Sequence, residues 1–407
     1  MHNAIPTVVG IPVEFILFAA VLAGVALFHH HSLRVALIGL ATIALYKIAF
    51  SSFHEGTGVA GFAAHLATEW VLLVNLLLLI VGFALLARHF EESRVPILLP
   101  ALLPDDWKGG FALLVIVFVL SSFLDNIAAA MIGGAMAHAL YRGRVHVGFL
   151  AAIVAASNGG GSGSVVGDTT TTMMWIDGVK PLQVLEAYIA AIPALAFFGV
   201  FAARQQHALQ PIMKDAPAGV RADRGRIAVV VAVLAAAIVV NVIAQLHHGS
   251  VLDRLPAIGL GVWVALLVCA PLVAPDWSVL PSATRGGVFL VSLVLSASMM
   301  PVEALPAASW HVALGLGFVS AVFDNIPLTA LALRQGGYDW GFLAYAVGFG
   351  GSMIWFGSSA GVALASQYPE ARSAKAWVVS GWHVTVAYVL GYAVLLAVLG
   401  WHPDPAR

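Results

Sequence analysis

The chain has 407 residues, of which 61% are apolar and 10% are charged, and its mean hydropathy is +0.95. An ordinary soluble domain carries about 25% charged residues, so this composition excludes a soluble globular protein, a disordered chain and a disulfide-linked scaffold. The net charge of −1 gives no basic surface for nucleic acid. The single cysteine, Cys269, cannot form an internal disulfide. The composition therefore predicts an all-α polytopic membrane protein, expected in a bacterial cytoplasmic membrane with lipid as its surroundings.

Ten apolar runs are long enough to span a bilayer, which takes about 20 residues. They fall at 11–29, 33–50, 70–88, 109–141, 181–203, 227–245, 255–274, 286–305, 309–333 and 376–400. Two further segments, 145–175 and 341–366, are moderately apolar but interrupted by Gly, Ser and Thr. Irregular backbone is tolerated at membrane depth only where it is buried in protein or lines a cavity. We therefore predict a broken or re-entrant helix in each of these two segments.

The longest polar connection, residues 204–226, carries an excess of Lys and Arg, which predicts a cytoplasmic linker. We interpret it as a solvated connection and not as a binding site. The histidines at 29–31 and 247–248 are adjacent and do not share a helix face, so they do not predict a metal site. We predict N-terminal spans at 1–69, followed by a first half at 70–203. The linker at 204–226 separates this first half from a second half at 227–407.

Three sequence elements occur in the same order in both halves, which indicates an internal duplication. Duplicated halves that each contain an interrupted helix are typical of secondary transporters, whose sites lie near the bilayer midplane. We expect the two halves to be inverted relative to each other. The paired elements are Leu124-Asp125-Asn126-Ile127 with Phe323-Asp324-Asn325-Ile326, Gly148-Phe149-Leu150-Ala151 with Gly341-Phe342-Leu343-Ala344, and Gly160-Gly161-Ser162 followed by Gly167-Asp168 with Gly350-Gly351-Ser352 followed by Gly357-Ser358.

Asp125 and Asp324 each follow about 15 apolar residues, and a charge deep in a membrane costs at least a few kcal/mol and usually serves function. Together with Asn126 and Asn325, they present carboxylate and amide oxygens of the kind that binds a small cation. We therefore predict that Asp125 and Asp324 bind an ion, with sodium as the candidate metal and no other cofactor. The alternative is that both are N-caps of the helices that follow, and the two interpretations can coexist.

Asp168 lies in a Gly-Asp-Thr-Thr-Thr-Thr stretch, where glycine lets the backbone approach a ligand and hydroxyls supply neutral oxygens. It is a candidate proton carrier or cation ligand, and the alternative is again an N-cap. Its counterpart in the second half is Ser358, so a charged role would be confined to one half. The remaining candidate ligands are neutral: Ser157, Asn158, Ser162, Thr169, Ser352 and Ser358.

The motif regions contain no Lys or Arg near the inferred midplane, which favours a cation as the substrate without excluding an anion. At these residues the sequence resembles the ion transporter superfamily, which includes NhaD-type sodium/proton antiporters, arsenite-pump membrane subunits and citrate or dicarboxylate carriers. The NhaD-like stretch runs from Ser157-Asn158-Gly159 to Trp175, and the resemblance extends over about residues 70–400. It implies a scaffold layer, a moving transport layer and a homodimer. The dicarboxylate carriers have a Ser-Asn-Thr signature in both hairpins, and the departure here at Gly159 argues against that branch.

Three classes of function follow from these patterns. Sodium/proton antiport leads, and cation-coupled citrate or dicarboxylate transport is the alternative within the transporters. An intramembrane aspartyl enzyme, with Asp125 and Asp324 sharing a proton, is the alternative of another class. A channel would not need duplicated halves, so the repeat favours a carrier over a channel and over an enzyme.

Overall fold

A computed structural model describes residues 7–8, 10–28, 31–98, 103–213, 221–246 and 255–404. The all-α prediction is confirmed, since strands are confined to two short antiparallel pairs within the described residues. In the first pair, β1 (Thr7–Val8) and β2 (Ile11–Pro12), Val8 pairs with Ile11. In the second pair, β3 (Ser52–Phe53) and β4 (Gly56–Thr57), Phe53 pairs with Gly56.

The helices before the linker are α1 (Val13–Leu27), α2 (Ser32–Phe50), α3 (Gly58–Glu92), α4 (Val95–Leu98), α5 (Trp107–Ser121), α6 (Asn126–Leu140), α7 (Val147–Ser162), α8 (Thr169–Ile176), α9 (Pro181–Leu185) and α10 (Ala187–Leu209). Those after it are α11 (Arg224–Leu246), α12 (Ala257–Cys269), α13 (Leu280–Ser298), α14 (Trp310–Ser320), α15 (Asn325–Gln335), α16 (Trp340–Gly350), α17 (Ser359–Gln367), α18 (Ala374–Ser380) and α19 (Trp382–Leu399). Short 3-10 turns lie at Trp277–Val279, Val302–Ala304 and Pro369–Arg372.

Five helical stretches in the described part of the chain are long and apolar enough to cross a membrane. They are Ser32–Phe50, Gly58–Glu92, Pro181–Leu209, Trp277–Ser298 and Trp382–Leu399. The chain is therefore a multi-pass membrane protein, as predicted.

Both segments predicted to be interrupted are broken helices. The first breaks between α7 and α8, at residues 163–168, and the second between α16 and α17, at residues 351–358. The Gly and Ser clusters fall at these breaks, as the sequence indicated.

Two runs that we took as continuous spans are broken as well, so that prediction was wrong for 109–141 and 309–333. The first divides into α5 and α6 just before Asn126, and the second into α14 and α15 just before Asn325. Average hydropathy conceals the interruption because the residues around each Asp are strongly apolar. The predicted boundary at residues 69 and 70 also differs, since it falls inside the uninterrupted helix α3.

The helices form two groups. The broken helices α5–α8 and α14–α17 pack with α10 and α19 around one large hydrophobic core. The second group contains α1–α3 and α11–α13, whose apolar side chains form two separate clusters. Contacts of α3 with α8, and of α13 with α15, join the two groups. A group of broken helices thus packs against a group of helices that are mostly continuous.

One end of the molecule, called here the linker end, is where α10 finishes and the linker begins. The Arg204 guanidinium lies 4.9 Å above the Trp107 ring at the start of α5. The Met213 amide donates to the Leu140 carbonyl at the end of α6, at 2.8 Å. Helices α5 and α6 therefore form a hairpin whose two outer ends both lie at the linker end.

The other end, called here the opposite end, is where α19 finishes. Here the Gln335 side chain, at the end of α15, donates to the Pro306 carbonyl just before α14, at 2.7 Å. The Asp404 amide, just beyond α19, donates to the Tyr338 carbonyl at 3.1 Å. Helices α14 and α15 therefore form a second hairpin, whose outer ends both lie at the opposite end.

Candidate functional site

The four broken helices bring four helix starts into the interior, each preceded by Asp125, Asp168, Asp324 or Ser358. The Asp168 carboxylate accepts from the Thr170 amide at 3.2 Å, and that of Asp324 from the Ile326 amide at 3.1 Å. The Ser358 hydroxyl accepts from the Gly361 amide at 3.2 Å. The N-cap interpretation is thus confirmed for Asp168 and Asp324. Asp125 occupies the same position before α6, with the same φ of −53° and ψ of 140° as Asp324.

Close backbone contacts in the breaks explain the repeated glycines. A Cβ on Gly160 would clash with the Phe118 carbonyl, and one on Gly350 would clash with the backbone of Gly317. The equivalent glycines thus let α7 approach α5, and α16 approach α14. The repeat in the sequence corresponds to the same packing in each half.

A hydrogen-bond network of side-chain amides and hydroxyls joins the two halves near these breaks. The Asn126 side-chain amide donates to Asn158 Oδ1 at 3.1 Å. Asn158 Nδ2 in turn donates to the hydroxyls of Ser352 and Ser358, both at 3.0 Å. Asn158, Ser352 and Ser358 are fully or almost fully buried. This network makes Asn158 a bridge between the first and second halves.

A second link between the halves involves the charged group. Asn325 Nδ2, from the second half, lies 3.4 Å from Asp168 Oδ2 in the first half. Asp324 takes a different partner, since its Oδ2 accepts from the Ser359 hydroxyl at 2.8 Å. The two repeated aspartates are therefore not in equivalent surroundings.

A cavity of about 560 Å³ leads from the linker end to two of the aspartates. Asp125, Asp168, Thr169 and Thr172 line its inner part, and its walls come from α3, α6 and α13. Asp168 is 3% exposed, so the cavity reaches a carboxylate that is otherwise enclosed by protein. Asp324, Ser352 and Ser358 are not among its lining residues.

Charged side chains surround the mouth of this cavity. Arg88 Nε, near the end of α3, donates to Asp276 Oδ2 at 2.9 Å, and Glu91 lines the cavity beside them. Hydrogen bonds from Ser278 and then from Arg88 lower the pKa of Asp276 below its ordinary value. The mouth therefore keeps a charged carboxylate at neutral pH, and an ion pair joins α3 to the segment before α13.

Two other predicted ligands, Ser157 and Ser162, bond within their own helix. The Ser157 hydroxyl donates to the Val154 carbonyl at 3.0 Å, and the Ser162 hydroxyl donates to the Gly159 carbonyl at 2.8 Å. Both hydroxyls are therefore hydrogen-bonded to backbone carbonyls within α7.

Several residues at the site were not singled out from the sequence. Thr170 is completely buried next to Asp168, and its backbone amide donates to the Asp168 carboxylate. Thr172, Arg88 and Asp276 line the cavity. The threonines belong to the Gly-Asp-Thr-Thr-Thr-Thr stretch that contains Asp168, and this stretch was the available signal. Nothing in the local sequence of Arg88 and Asp276 indicates that α3 and α13 form the cavity wall.

Two carboxylates with neutral hydroxyl oxygens form a donor set for a monovalent cation or for protons. No group of three or more His, Cys, Asp or Glu residues that could hold a metal ion occurs in the described part of the chain. The histidines at 29–30 and 247–248, together with linker residues 214–220, lie outside the described residues.

Comparison with known proteins gives one partial match. The chain is 33% identical to "Sodium/proton antiporter 1" of Arabidopsis thaliana, over 20% of this chain and 17% of that protein. The match thus spans about a sixth of the relative's length. No family model matches the sequence. The fold defines a multi-pass membrane protein.

Proposed function

We propose that the protein is a secondary transporter of monovalent cations, and specifically a sodium/proton antiporter. The observation that carries the proposal is the cavity that runs from one end of the molecule to Asp125 and Asp168. Carboxylates within a membrane protein are expensive and are retained where ions or protons pass. The partial similarity to a sodium/proton antiporter supports the same choice.

Competition for these two carboxylates is the proposed basis of exchange. Sodium binds these carboxylates in their ionised form, whereas a bound proton neutralises the same oxygens. A cation that enters the cavity therefore displaces protons, and protons displace the cation. The capping bond from Thr170 holds the Asp168 carboxylate at the start of α8, and Asp125 lies at the equivalent position before α6.

The linker end is proposed to face the cytoplasm. Basic side chains concentrate there, including Arg88, Arg144, Arg204 and Arg226. The opposite end has far fewer, and Arg334 there is paired with Glu69. Cytoplasmic loops carry the excess of Lys and Arg, so the cavity opens toward the cytoplasm in this conformation.

The two halves are proposed to be inverted repeats that alternate access. The α5–α6 hairpin enters from the linker end and the α14–α15 hairpin from the opposite end, which supports this arrangement. Inverted halves that rock around a fixed site expose it to each side in turn. In this proposal the group of broken helices is the transport layer, and the group of continuous helices is the scaffold layer. The homodimer and the bacterial inner-membrane location stay predictions.

Cation-coupled citrate or dicarboxylate transport is the second candidate. A carboxylate substrate would need positive groups beside it, and Arg88 is the one basic residue among those described as lining the cavity. It lies at the mouth, where Asp276 pairs with it, whereas the inner part carries Asp125 and Asp168. The charge distribution therefore favours a cation over a carboxylate.

Transport by the purified protein in proteoliposomes tests the proposal. With a pH dye inside, a sodium pulse should move protons in the opposite direction, and empty liposomes should not respond. Radiolabelled citrate is offered to the same preparation in parallel. Sodium-dependent citrate uptake without proton exchange would replace the antiport proposal by the second candidate, and cleavage of a peptide substrate would support the aspartyl enzyme.

A further inference from the structure

Asp168 and Ser358 are equivalent positions in the two halves, and the residues around them are equivalent as well. The difference lies at one position, which is Asn158 in the first half and Gly348 in the second. Counting two residues back from the paired glycines Gly160 and Gly350 makes Asn158 the counterpart of Gly348. Each of these residues faces the capped helix start of the other half. Asn158 contacts Ser352 and Ser358. A Cβ on Gly348 would lie 3.1 Å from the Ser162 Cβ and 3.6 Å from Asp168 Oδ2.

The Asn158 side chain forms hydrogen bonds with every polar group in the cluster around it. Its Nδ2 donates to two hydroxyls and its Oδ1 accepts from Asn126, and its side chain is completely buried. A buried polar cluster in which the groups bond to one another offers an ion only neutral oxygens that already accept hydrogen bonds. The cluster also carries no charge, because Ser358 replaces the aspartate.

The surroundings of Asp168 differ from those of Ser358 in two ways, the side chain at the position of Asn158 and the charge. Gly348 provides no side chain to fill the equivalent position, and Asp168 provides a carboxylate. The cavity reaches Asp168 and Asp125 but none of the residues around Asn158. The neighbouring Thr170 is buried, and its backbone amide donates to the Asp168 carboxylate.

We propose that each chain binds one cation, at Asp168 with Asp125, and that the Asn158 amide closes the pseudo-equivalent position in the other half. Asn158 is then a positioning residue that bridges the halves without contacting the ion. The inference rests on the proposed cation transport and adds the number and the location of the ions.

The number of sodium ions bound tests the inference. Purified full-length protein in detergent is titrated with radioactive sodium at equilibrium, at a pH above neutrality so that protons do not compete. One sodium per chain is expected. Asp168→Asn should weaken binding by roughly a hundredfold, since removal of one partner of a buried charge pair costs about 3 kcal/mol.

Ser358→Ala is the matched variant in the neutral half, and Ser352→Ala is a second one in case the first fails to fold. Size-exclusion elution identifies the folded variants. Both should still bind one sodium with an affinity within about twofold of the unaltered protein, because neither hydroxyl contacts the ion.

Two sodium ions per chain would overturn the inference and leave cation transport intact. Loss of sodium in a folded Ser358→Ala or Ser352→Ala protein, with binding kept in Asp168→Asn, would overturn it too. Absence of sodium binding in the unaltered protein would contradict the proposed function on which the inference depends.

Discussion

At the scale of single residues, the three motif aspartates share a position before a helix but not an environment. Asp125 and Asp168 line the cavity, whereas Asp324 is hydrogen-bonded to Ser359 and to the Ile326 amide. The identical motif in the two halves therefore does not imply an identical role. A carboxylate that faces the cavity can exchange ions, and one that lies away from the cavity can only stabilise its helix start.

Substitution of each aspartate by asparagine separates these roles. Asp125→Asn and Asp168→Asn should abolish sodium-driven proton flux in proteoliposomes, because the amide cannot exchange a proton or neutralise a cation. Asp324→Asn should keep a substantial part of the flux, since Asn is about as good an N-cap as Asp. Equal loss of flux in all three folded variants would show that Asp324 belongs to the ion-binding core, as the sequence alone suggested.

Truncation of Asp324 tests its capping role directly. Asp324→Ala removes the acceptor for the Ile326 amide and for Ser359, so it should lower stability by about 1 kcal/mol. Asp324→Asn is the control and should unfold close to the unaltered protein. Thermal unfolding in detergent measures both, and an unchanged midpoint for Asp324→Ala would mean that the cap contributes nothing to the fold.

At the scale of helices, the breaks depend on glycines that allow backbones to touch. Gly160→Ala and Gly350→Ala each introduce a methyl group against backbone atoms of the neighbouring broken helix, at Phe118 and Gly317. Backbone atoms cannot rotate away, so a loss of about 2 kcal/mol or more is expected. The measurement is the yield of monodisperse protein and its thermal midpoint.

Gly315→Ala is the matched control for these two substitutions. Gly315 lies in α14, and a Cβ there would meet nothing within 4 Å. Alanine also has the higher helix propensity, so this variant should be as stable as the unaltered protein or slightly more so. Equal behaviour of Gly315→Ala and Gly160→Ala would refute the close-packing explanation of the repeated glycines.

At the scale of the whole molecule, the direction in which the cavity opens defines the conformation. Cysteine accessibility measures it after the native Cys269 is replaced by serine. Ala84→Cys and Ala283→Cys place thiols on the cavity wall, from α3 and α13. A membrane-impermeant thiol reagent should label both from the linker side, in inside-out vesicles, and not from the other side.

Two further positions calibrate the labelling. Ala307→Cys is exposed at the opposite end and should react only in right-side-out vesicles. Ala151→Cys is completely buried and should not react from either side. Labelling of the cavity-wall positions from the opposite side alone would reverse the proposed orientation of the protein in the membrane.

The sequence by itself determined the helical class, the duplication and the positions of two interruptions. It did so because lipid leaves few alternatives: backbone polar groups must be satisfied within helices, and Gly and Ser clusters in apolar surroundings need protein around them. The same reasoning identified Asp125 and Asp324, since charge within an apolar run is rare. Asp168 was identified by the glycine and the threonines beside it. The sequence indicated the breaks before Asn126 and Asn325 only through the N-cap alternative, because the flanking residues are as apolar as those of a continuous helix.

Only the tertiary structure decided which of these residues meet. Asn158 contacts hydroxyls 194 and 200 positions away, and Asp168 meets an amide 157 positions away. No local pattern encodes such pairs, because they depend on how the broken helices of one half pack against those of the other. The pairing of Asp125 with Asp168 at one cavity, and the separation of Asp324 from it, follow from that packing and from the walls that α3 and α13 provide.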